Sequence, residues 1–437
     1  MQRNSVSRIS IIKSMGAYLP TLRRLSLTAV AVGAFATAAV AADSAGFGES
    51  GNEHWVGTWG TALHAPDLGV PGLANTGFNN QTLRQIVHTS VGGDKVRVRF
   101  SAFGANAVVI GAAHIALQAG GAMIMPASDR TLTFGGKPSI TVPPGALVLS
   151  DPVNLDVPAL SDLAVSIFVP GDTGPAAWHF EARQTLYVSP QGDFTASAAM
   201  PIDSTRPTTQ AWFWLAGVEV VTSREIGGIV TFGDSITDGS QSTPDANKRW
   251  PDELARRLSQ KMGVMNKAIA GNRILHDSLG PNALARFDRD TLASTGVTHV
   301  IVQLGGNDIF NINPTEVVSF DQVIQGHKQL IERAHAKGLR IYGCTLTPVQ
   351  GFLIPGTPFP VFTLANEAKR QAVNAWIRTS GEYDAVIDFD RVLRDPDAPA
   401  RILPLYDSGD HGHPTDAGYR ALADSIDLRL FSDDDGR

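Results

Sequence analysis

From about residue 54 to residue 221, apolar and polar positions alternate with a period of two. Lys95-Val96-Arg97-Val98-Arg99-Phe100 puts Val96, Val98 and Phe100 on one face and the charged side chains on the other, the pattern of a strand with one buried face. Further strands are predicted over 131–134, 146–149, 163–169, 185–189 and 213–221. Turn formers separate them, among them Gly135-Gly136, Pro143-Pro144-Gly145 and Pro170-Gly171-Asp172. Short strands punctuated by Gly and Pro, with almost no helical periodicity, predict an antiparallel β-sandwich of jelly-roll type over 54–221.

Near Gly227 the period changes. Apolar strand-like runs at 228–232, 264–269, 297–304, 340–346 and 385–389 now alternate with amphipathic segments. Helices are expected near 250–260, 281–293, 320–337, 365–380 and 416–430. In the third of these, Val323, Ile324, Leu330, Ile331 and Ala334 share a face, as a core-facing helix requires. Such alternation predicts an α/β region over 227–431 whose largely parallel sheet is covered on both sides. Ligands of such sheets lie at the carboxyl ends of the strands, which directs attention to the residues that follow each apolar run.

Residues 1–42 read as an export signal. Arg3, Arg8, Lys13, Arg23 and Arg24 precede an apolar run rich in small residues that ends in Ala39-Val40-Ala41, a small-x-small cleavage site. The run is shorter and less apolar than the roughly 20 residues a spanning helix needs. Arg23-Arg24 matches a twin-arginine signal only in part, so either export route is open. The expected mature protein has no membrane span and is periplasmic or extracellular. The 437 residues leave room for two domains after cleavage. A net charge of -6 gives no reason to expect a nucleic-acid partner. Cys344 is the single cysteine, which excludes an intramolecular disulfide. Its apolar surroundings read as those of a small buried side chain.

The chemistry gathers at predicted strand ends. Gly228-Ile229-Val230-Thr231-Phe232 runs into Gly233-Asp234-Ser235-Ile236-Thr237-Asp238-Gly239, so Ser235 is expected at the mouth of the sheet, its hydroxyl exposed and its N–H free to face an oxyanion. Alone, such a serine is equally a helix cap. Asp410-His411-Gly412-His413, just ahead of the last helix, places a carboxylate three residues before an imidazole. In a turn the carboxylate can orient one ring nitrogen while the other faces a serine. His413 fits that spacing, and His411 reads as a pocket-wall or solvent-facing residue. Between these ends lie Ala270-Gly271-Asn272-Arg273 and Gly305-Gly306-Asn307-Asp308. Each reads alone as an ordinary turn or a glycine loop. Together they offer a backbone N–H and a side-chain amide, the donors that an acyl-transfer site needs.

With these four blocks in order, the α/β region resembles the SGNH hydrolases, or GDSL esterase/lipase family, named for Ser, Gly, Asn and His. The matching residues are Ser235, Gly271, Asn307 and His413. The resemblance implies a three-layer α/β/α flavodoxin-like fold without metal or cofactor. It implies Ser235 as nucleophile, His413 as base with Asp410 as its partner, and an oxyanion hole of Ser235, Gly271 and Asn307. One position departs: Gly412 stands where these enzymes often carry a bulkier apolar residue. Residues Trp55 to Gly60 and Asn80 to Gln85 look like the β-rich leading domain of bacterial two-domain members, some similar to xylan-active acylhydrolases. This implies a small-molecule or polysaccharide ester as substrate. Trp55, Trp59, Trp178, Trp212 and Trp214 are either a sugar-binding platform or core residues. The competing readings are a carbohydrate deacetylase, a broad aryl/alkyl esterase or lipase with the apolar loop 352–362 at its pocket, and a carbohydrate-binding protein without activity. A phosphodiesterase or transferase variant of the site stays open.

Overall fold

The computed structural model describes residues 53–66, 75, 77–223, 226–311, 313, 315–353 and 361–432. The expected export signal, residues 433–437 and most of the loop 352–362 lie outside them. The β-rich region forms two large antiparallel sheets, with two further two-stranded pairs, Trp178–His179 with Trp212–Phe213 and Val108–Ile110 with Ile140–Val142. One large sheet runs in the order Trp55–Gly60, Leu215–Val221, Gly93–Ser101, Val153–Val157, with Leu147–Leu149 also paired to Gly93–Ser101. The other runs Leu186–Gln191, Gln81–His88, Asp162–Val169, Ala112–Gly120, Met123–Ile124. Side chains of both sheets share one apolar core, including Val96, Val98, Phe100, Leu83, Val165 and Ile167.

Gln81–His88 and Ala112–Gly120 escape the pattern of alternation for different physical reasons. In the first, Gln81, Arg84 and Gln85 are buried together with the apolar residues, so both faces are covered. Arg84 is satisfied there by Ser166 Oγ and by the carbonyls of Ala122, Thr195 and Ser197. The second is alanine-rich, a composition that favours helix in isolation. Conversely, the expected strand 213–221 is interrupted at Trp214, whose φ of 53° breaks the extended backbone.

In the α/β region five parallel strands lie in the order Gly263–Asn266, Gly228–Gly233, Val297–Gln303, Arg340–Cys344, Ala385–Ile387. Alternate residues of the central strands feed two separate cores. Val230, Val300, Val302 and Ile341 pack with Val323, Leu330 and Val373 on one face, while Ile229, Ile301, Tyr342 and Cys344 pack with Trp250, Leu254, Phe389 and Leu422 on the other. Helix Phe320–His335 starts at a Ser319/Gln322 capping box. Two expected elements are shorter than their apolar runs. The second strand stops at Asn266, and the helix near 281–293 is a short α-turn, Ala283–Phe287, that runs into a π-turn, Asp288–Leu292.

The two regions are fastened tightly. Gly57 and Gly263 let the strands Trp55–Gly60 and Gly263–Asn266 approach closely: a Cβ on Gly263 would stand 2.3 Å from the Gly57 carbonyl oxygen. Ser90 Oγ accepts the Val264 N–H at 2.8 Å, and Arg99 donates to the Ala293 carbonyl and Thr295. Lys267, buried, donates from Nζ to the carbonyls of Thr61 and Ala216, both at 2.8 Å. Burial pushes this ammonium down to about 7, and a neutral amine has the two N–H groups that two carbonyls require. Between that value and the unfolded one near 10.5, the unfolded chain holds a proton that the folded chain lacks. Rising pH therefore favours the folded state across this window. Relative to Lys267→Met, the wild-type protein is expected to gain stability between pH 7 and pH 10. Denaturant unfolding of both proteins at the two pH values measures this, and a constant difference between them would contradict it.

Candidate active site

Ser235 begins a single helical turn, Ser235–Asp238, immediately after the strand Gly228–Gly233. Asp234 caps the turn, its Oδ1 accepting the Ile236 N–H at 3.1 Å. The Ser235 N–H, at the first helical position, has no partner within the turn. Asp234 is buried, and loss of solvation raises its carboxyl to about 7, against the hydrogen bond from Ile236 and the influence of His413.

The Asp410–His413 turn crosses the chain to meet Ser235. His413 Nε2 lies 2.8 Å from Ser235 Oγ and Nδ1 lies 2.7 Å from Asp410 Oδ2. Since a carboxylate accepts, Nδ1 carries the proton and Nε2 is free to accept from the serine hydroxyl. The other Asp410 oxygen accepts the N–H groups of Gly412 at 2.9 Å and His413 at 2.8 Å. Burial alone would raise this carboxyl. The hydrogen bond and charge of His413, with the two backbone donors, outweigh it and hold Asp410 well below the usual carboxylate range. Asp410 therefore stays ionised throughout the neutral and mildly acidic range. His411, by contrast, is turned outward and pairs with Asp407 at 2.6 Å.

Asn307 sits in the turn Gly306–Ile309 at the end of the third strand, and its Nδ2 donates to the Asn272 carbonyl at 3.1 Å. That leaves its second amide proton available. Gly271 adopts a φ of 71° between Ala270, whose N–H is held by Asp238 Oδ2 at 2.9 Å, and Asn272. Ser235, Asn307 and His413 line one pocket together with Asp234, Gln303 and Thr347. Gly271 and Asp410 are not among the lining residues; Gly271 precedes Asn272, whose carbonyl accepts from the Asn307 amide, and Asp410 pairs with His413. Among the described residues, no group of three or more His, Cys, Asp or Glu side chains is placed to hold a metal ion.

Several supporting groups are invisible to motif reading. Arg286 is fully buried and donates to the carbonyls of Lys267 at 2.6 Å and Gly233 at 3.2 Å and to Asn272 Oδ1 at 3.0 Å, with Asp290 as counter-ion. Burial lowers its guanidinium to about 10. Asp308, raised by burial, accepts the N–H groups of Ile274 and Leu275. For Arg286, the available signal is a cation beside the apolar Ala283 and Phe287, with a carboxylate four residues on.

The departure at Gly412 has a structural partner. A Cβ there would stand 2.4 Å from Phe352, whose ring packs edge-on against His413 with centroids 5.3 Å apart. Phe352 thus occupies the space of the missing side chain and forms one wall of the pocket. Trp59, Trp178, Trp212 and Trp214 are buried, and Arg97 covers the ring of the half-buried Trp55, so they serve as core and interface residues. Gly412→Val is expected to destabilise the protein by about 1–3 kcal/mol through overpacking. In a Phe352→Ala background the same change should cost much less. Unfolding measurements on the four proteins of this double-mutant cycle test the coupling, and additive effects would refute the contact.

Residues 231–421 match the family model of the GDSL-like lipase/acylhydrolase family. No curated protein matches the chain. Among solved structures, an aryl esterase of M. smegmatis is 17% identical and aligns over 47% of this chain and 100% of its own, with a TM-score of 0.39. A GDSL-like lipase from Bacteroides thetaiotaomicron is 19% identical over 48% of this chain and 89% of its own, with a TM-score of 0.37. A carbohydrate acetylesterase from Sinorhizobium meliloti is 14% identical over 47% and 98%, also with a TM-score of 0.37. Ser235, Gly271, Asn307, Asp410 and His413 all fall within the matched stretch, and over residues 231–421 the chain carries a domain of the GDSL-like lipase/acylhydrolase family.

Proposed function

We propose that this protein hydrolyses esters of short acyl groups, acetyl above all, through a Ser235 acyl-enzyme, with carbohydrate esters as the favoured substrate class. That it is a carboxylic ester hydrolase follows from the family of its 231–421 segment. The observation that carries the mechanism is the chain of contacts Asp410–His413–Ser235, at 2.7 and 2.8 Å. In this reading His413 takes the Ser235 proton as the hydroxyl attacks the carbonyl, and Asp410 stabilises the imidazolium that forms. The Ser235 and Gly271 N–H groups and the free Asn307 amide proton receive the oxyanion. His413 then protonates the departing alcohol, and a water activated by the same nitrogen releases the acid.

The short acyl preference is supported by the pocket beside Ser235. Its volume is about 60 Å³, and Ile236, Phe310, Leu346, Val349, Phe352 and Val361 give it apolar walls. A pocket of this size favours a small acyl group. We read the surrounding architecture as a three-layer flavodoxin-like domain, supported by its strand order and its core on each sheet face, preceded by a jelly-roll-like sandwich. In this reading the mature protein is exported.

Ser235→Ala should fold normally and lose nearly all turnover of an aryl acetate, and an active, folded variant would reject the nucleophile. Asn307→Ala is expected to lower kcat on the order of 10²–10³-fold, whereas a loss of only a fewfold would place Asn307 outside the reaction. Acetate release from an acetylated plant polysaccharide, with Ser235→Ala as blank, tests the substrate class. Turnover of aryl acetate alone would favour a small-ester hydrolase.

A further inference from the structure

Beneath the Ser235 turn lies a buried contact between the two regions. His179, from the short strand Trp178–His179, is fully buried in the β-rich region. Its Nδ1 lies 2.8 Å from the Ala62 carbonyl and its Nε2 lies 3.0 Å from Asp238 Oδ1. Asp238, the last residue of the Ser235 turn, is 1% exposed, and its other oxygen accepts the Ala270 N–H at 2.9 Å. Ala270 immediately precedes Gly271. The carbonyl of Ala62 can only accept, so it takes the Nδ1 proton, and one further proton lies between Nε2 and Oδ1.

Both ends of this contact are fixed. The strand of His179 pairs with Trp212–Phe213 and through Trp178 with His64. The His179 ring packs on Trp212, with centroids 5.7 Å apart, and on His64, at 5.1 Å. Among the described residues, His64 has no hydrogen-bond partner on either ring nitrogen, and burial, reinforced by the neighbouring His179, Arg286 and Arg289, pushes its imidazole well below the usual range. Asp238 is therefore the one hydrogen-bonding link among these groups that reaches the α/β region.

We infer that His179 is a positioning residue for ester hydrolysis: through Asp238 it anchors the Ala270 N–H, and with it the Ile269–Ala270 peptide from which the chain turns into Gly271, relative to Ser235. The inference rests on the reading of Gly271 as an oxyanion donor. It makes the β-rich region part of the catalytic apparatus rather than an appended module. Without His179, Asp238 can rotate away from Ala270, and the 269–270 peptide, one residue ahead of the Gly271 N–H, loses the hydrogen bond that sets its plane. Misplacement of a reacting group by about 1 Å costs on the order of 10²-fold in rate.

The test compares His179→Leu, Asp238→Ala and Asp238→Asn in the full chain on an aryl acetate, with melting temperatures recorded. An amide at 238 can accept the Ala270 N–H through its oxygen and donate to a neutral His179 Nε2 through its nitrogen, so it preserves both contacts. His179→Leu and Asp238→Ala are expected to lower kcat about 10–100-fold with KM changed less than about threefold. Asp238→Asn should restore most of the loss. Inhibition by an alkyl boronic acid, which forms a tetrahedral adduct on a serine, should weaken in parallel with kcat/KM in the first two variants. Folded His179→Leu and Asp238→Ala proteins with wild-type kcat would overturn the inference, as would failure of Asp238→Asn to recover activity. If His179→Leu does not fold, Asp238→Ala set against Asp238→Asn carries the same outcomes. An active Ser235→Ala protein would instead reject the underlying mechanism, so the two failures are distinguishable.

Discussion

The Arg286 guanidinium ties the ends of two neighbouring parallel strands to the loop that follows the second. It reaches the carbonyl at the end of the first parallel strand, the carbonyl just beyond the second, and the Asn272 side chain in the loop that follows. A buried cation of this kind is costly unless every proton finds an acceptor and a counter-ion lies close. Asp290 supplies the counter-ion and the Phe232 ring covers the guanidinium face, with the central carbon 4.0 Å from the ring centre. Three hydrogen-bond acceptors from two strand ends are thereby fixed to one rigid plane. The distances on which Ser235, Gly271 and Asn307 depend follow from that plane together with the sheet register.

Around this centre the division of labour is physical. Strands place residues along the sheet to within a side chain, but they do not orient peptide planes in the loops beyond. That finer adjustment falls to carboxylates and amides that bind backbone N–H groups: Asp234 for Ile236, Asp238 for Ala270, Asp308 for Ile274 and Leu275, and Asp410 for Gly412 and His413. Four carboxylates thus brace four turns at one end of the sheet. Two of them, Asp234 and Asp308, are raised by burial, while Asp410 gains enough donors and charge to be driven the other way.

The sequence disclosed this site more readily than its supports. Ser235, Asn307 and His413 follow apolar runs or precede a helix, and their spacing from Gly and Asp neighbours is local, so a linear reading finds them. Arg286 and His179 act mainly through contacts with residues distant along the chain; Arg286 has only the weak local mark of Asp290 four residues on, and nothing in the immediate neighbours of His179 marks it. The same distinction holds for the fold. Gly93–Ser101 shows its alternation because one face is apolar and the other polar. Gln81–His88 hides it because Arg84 and Gln85 are buried with satisfied hydrogen bonds. The Phe352–Gly412 exchange is a third case: the absence at 412 is visible in sequence, but its compensation comes from a loop about 60 residues earlier in the chain.

The fastening of Gly263–Asn266 against the β-rich region also covers a sheet edge. This strand is an edge of the parallel sheet, and an uncovered edge is a template for pairing with another molecule. Here Ser90 occupies the Val264 N–H, and the glycine contact with Gly57 brings a second strand alongside without extending the ladder. The N-terminal region therefore acts as a cover for a surface that would otherwise be adhesive. The α/β region severed from it would present a bare strand edge to solvent, so the sandwich contributes to colloidal solubility whatever it binds.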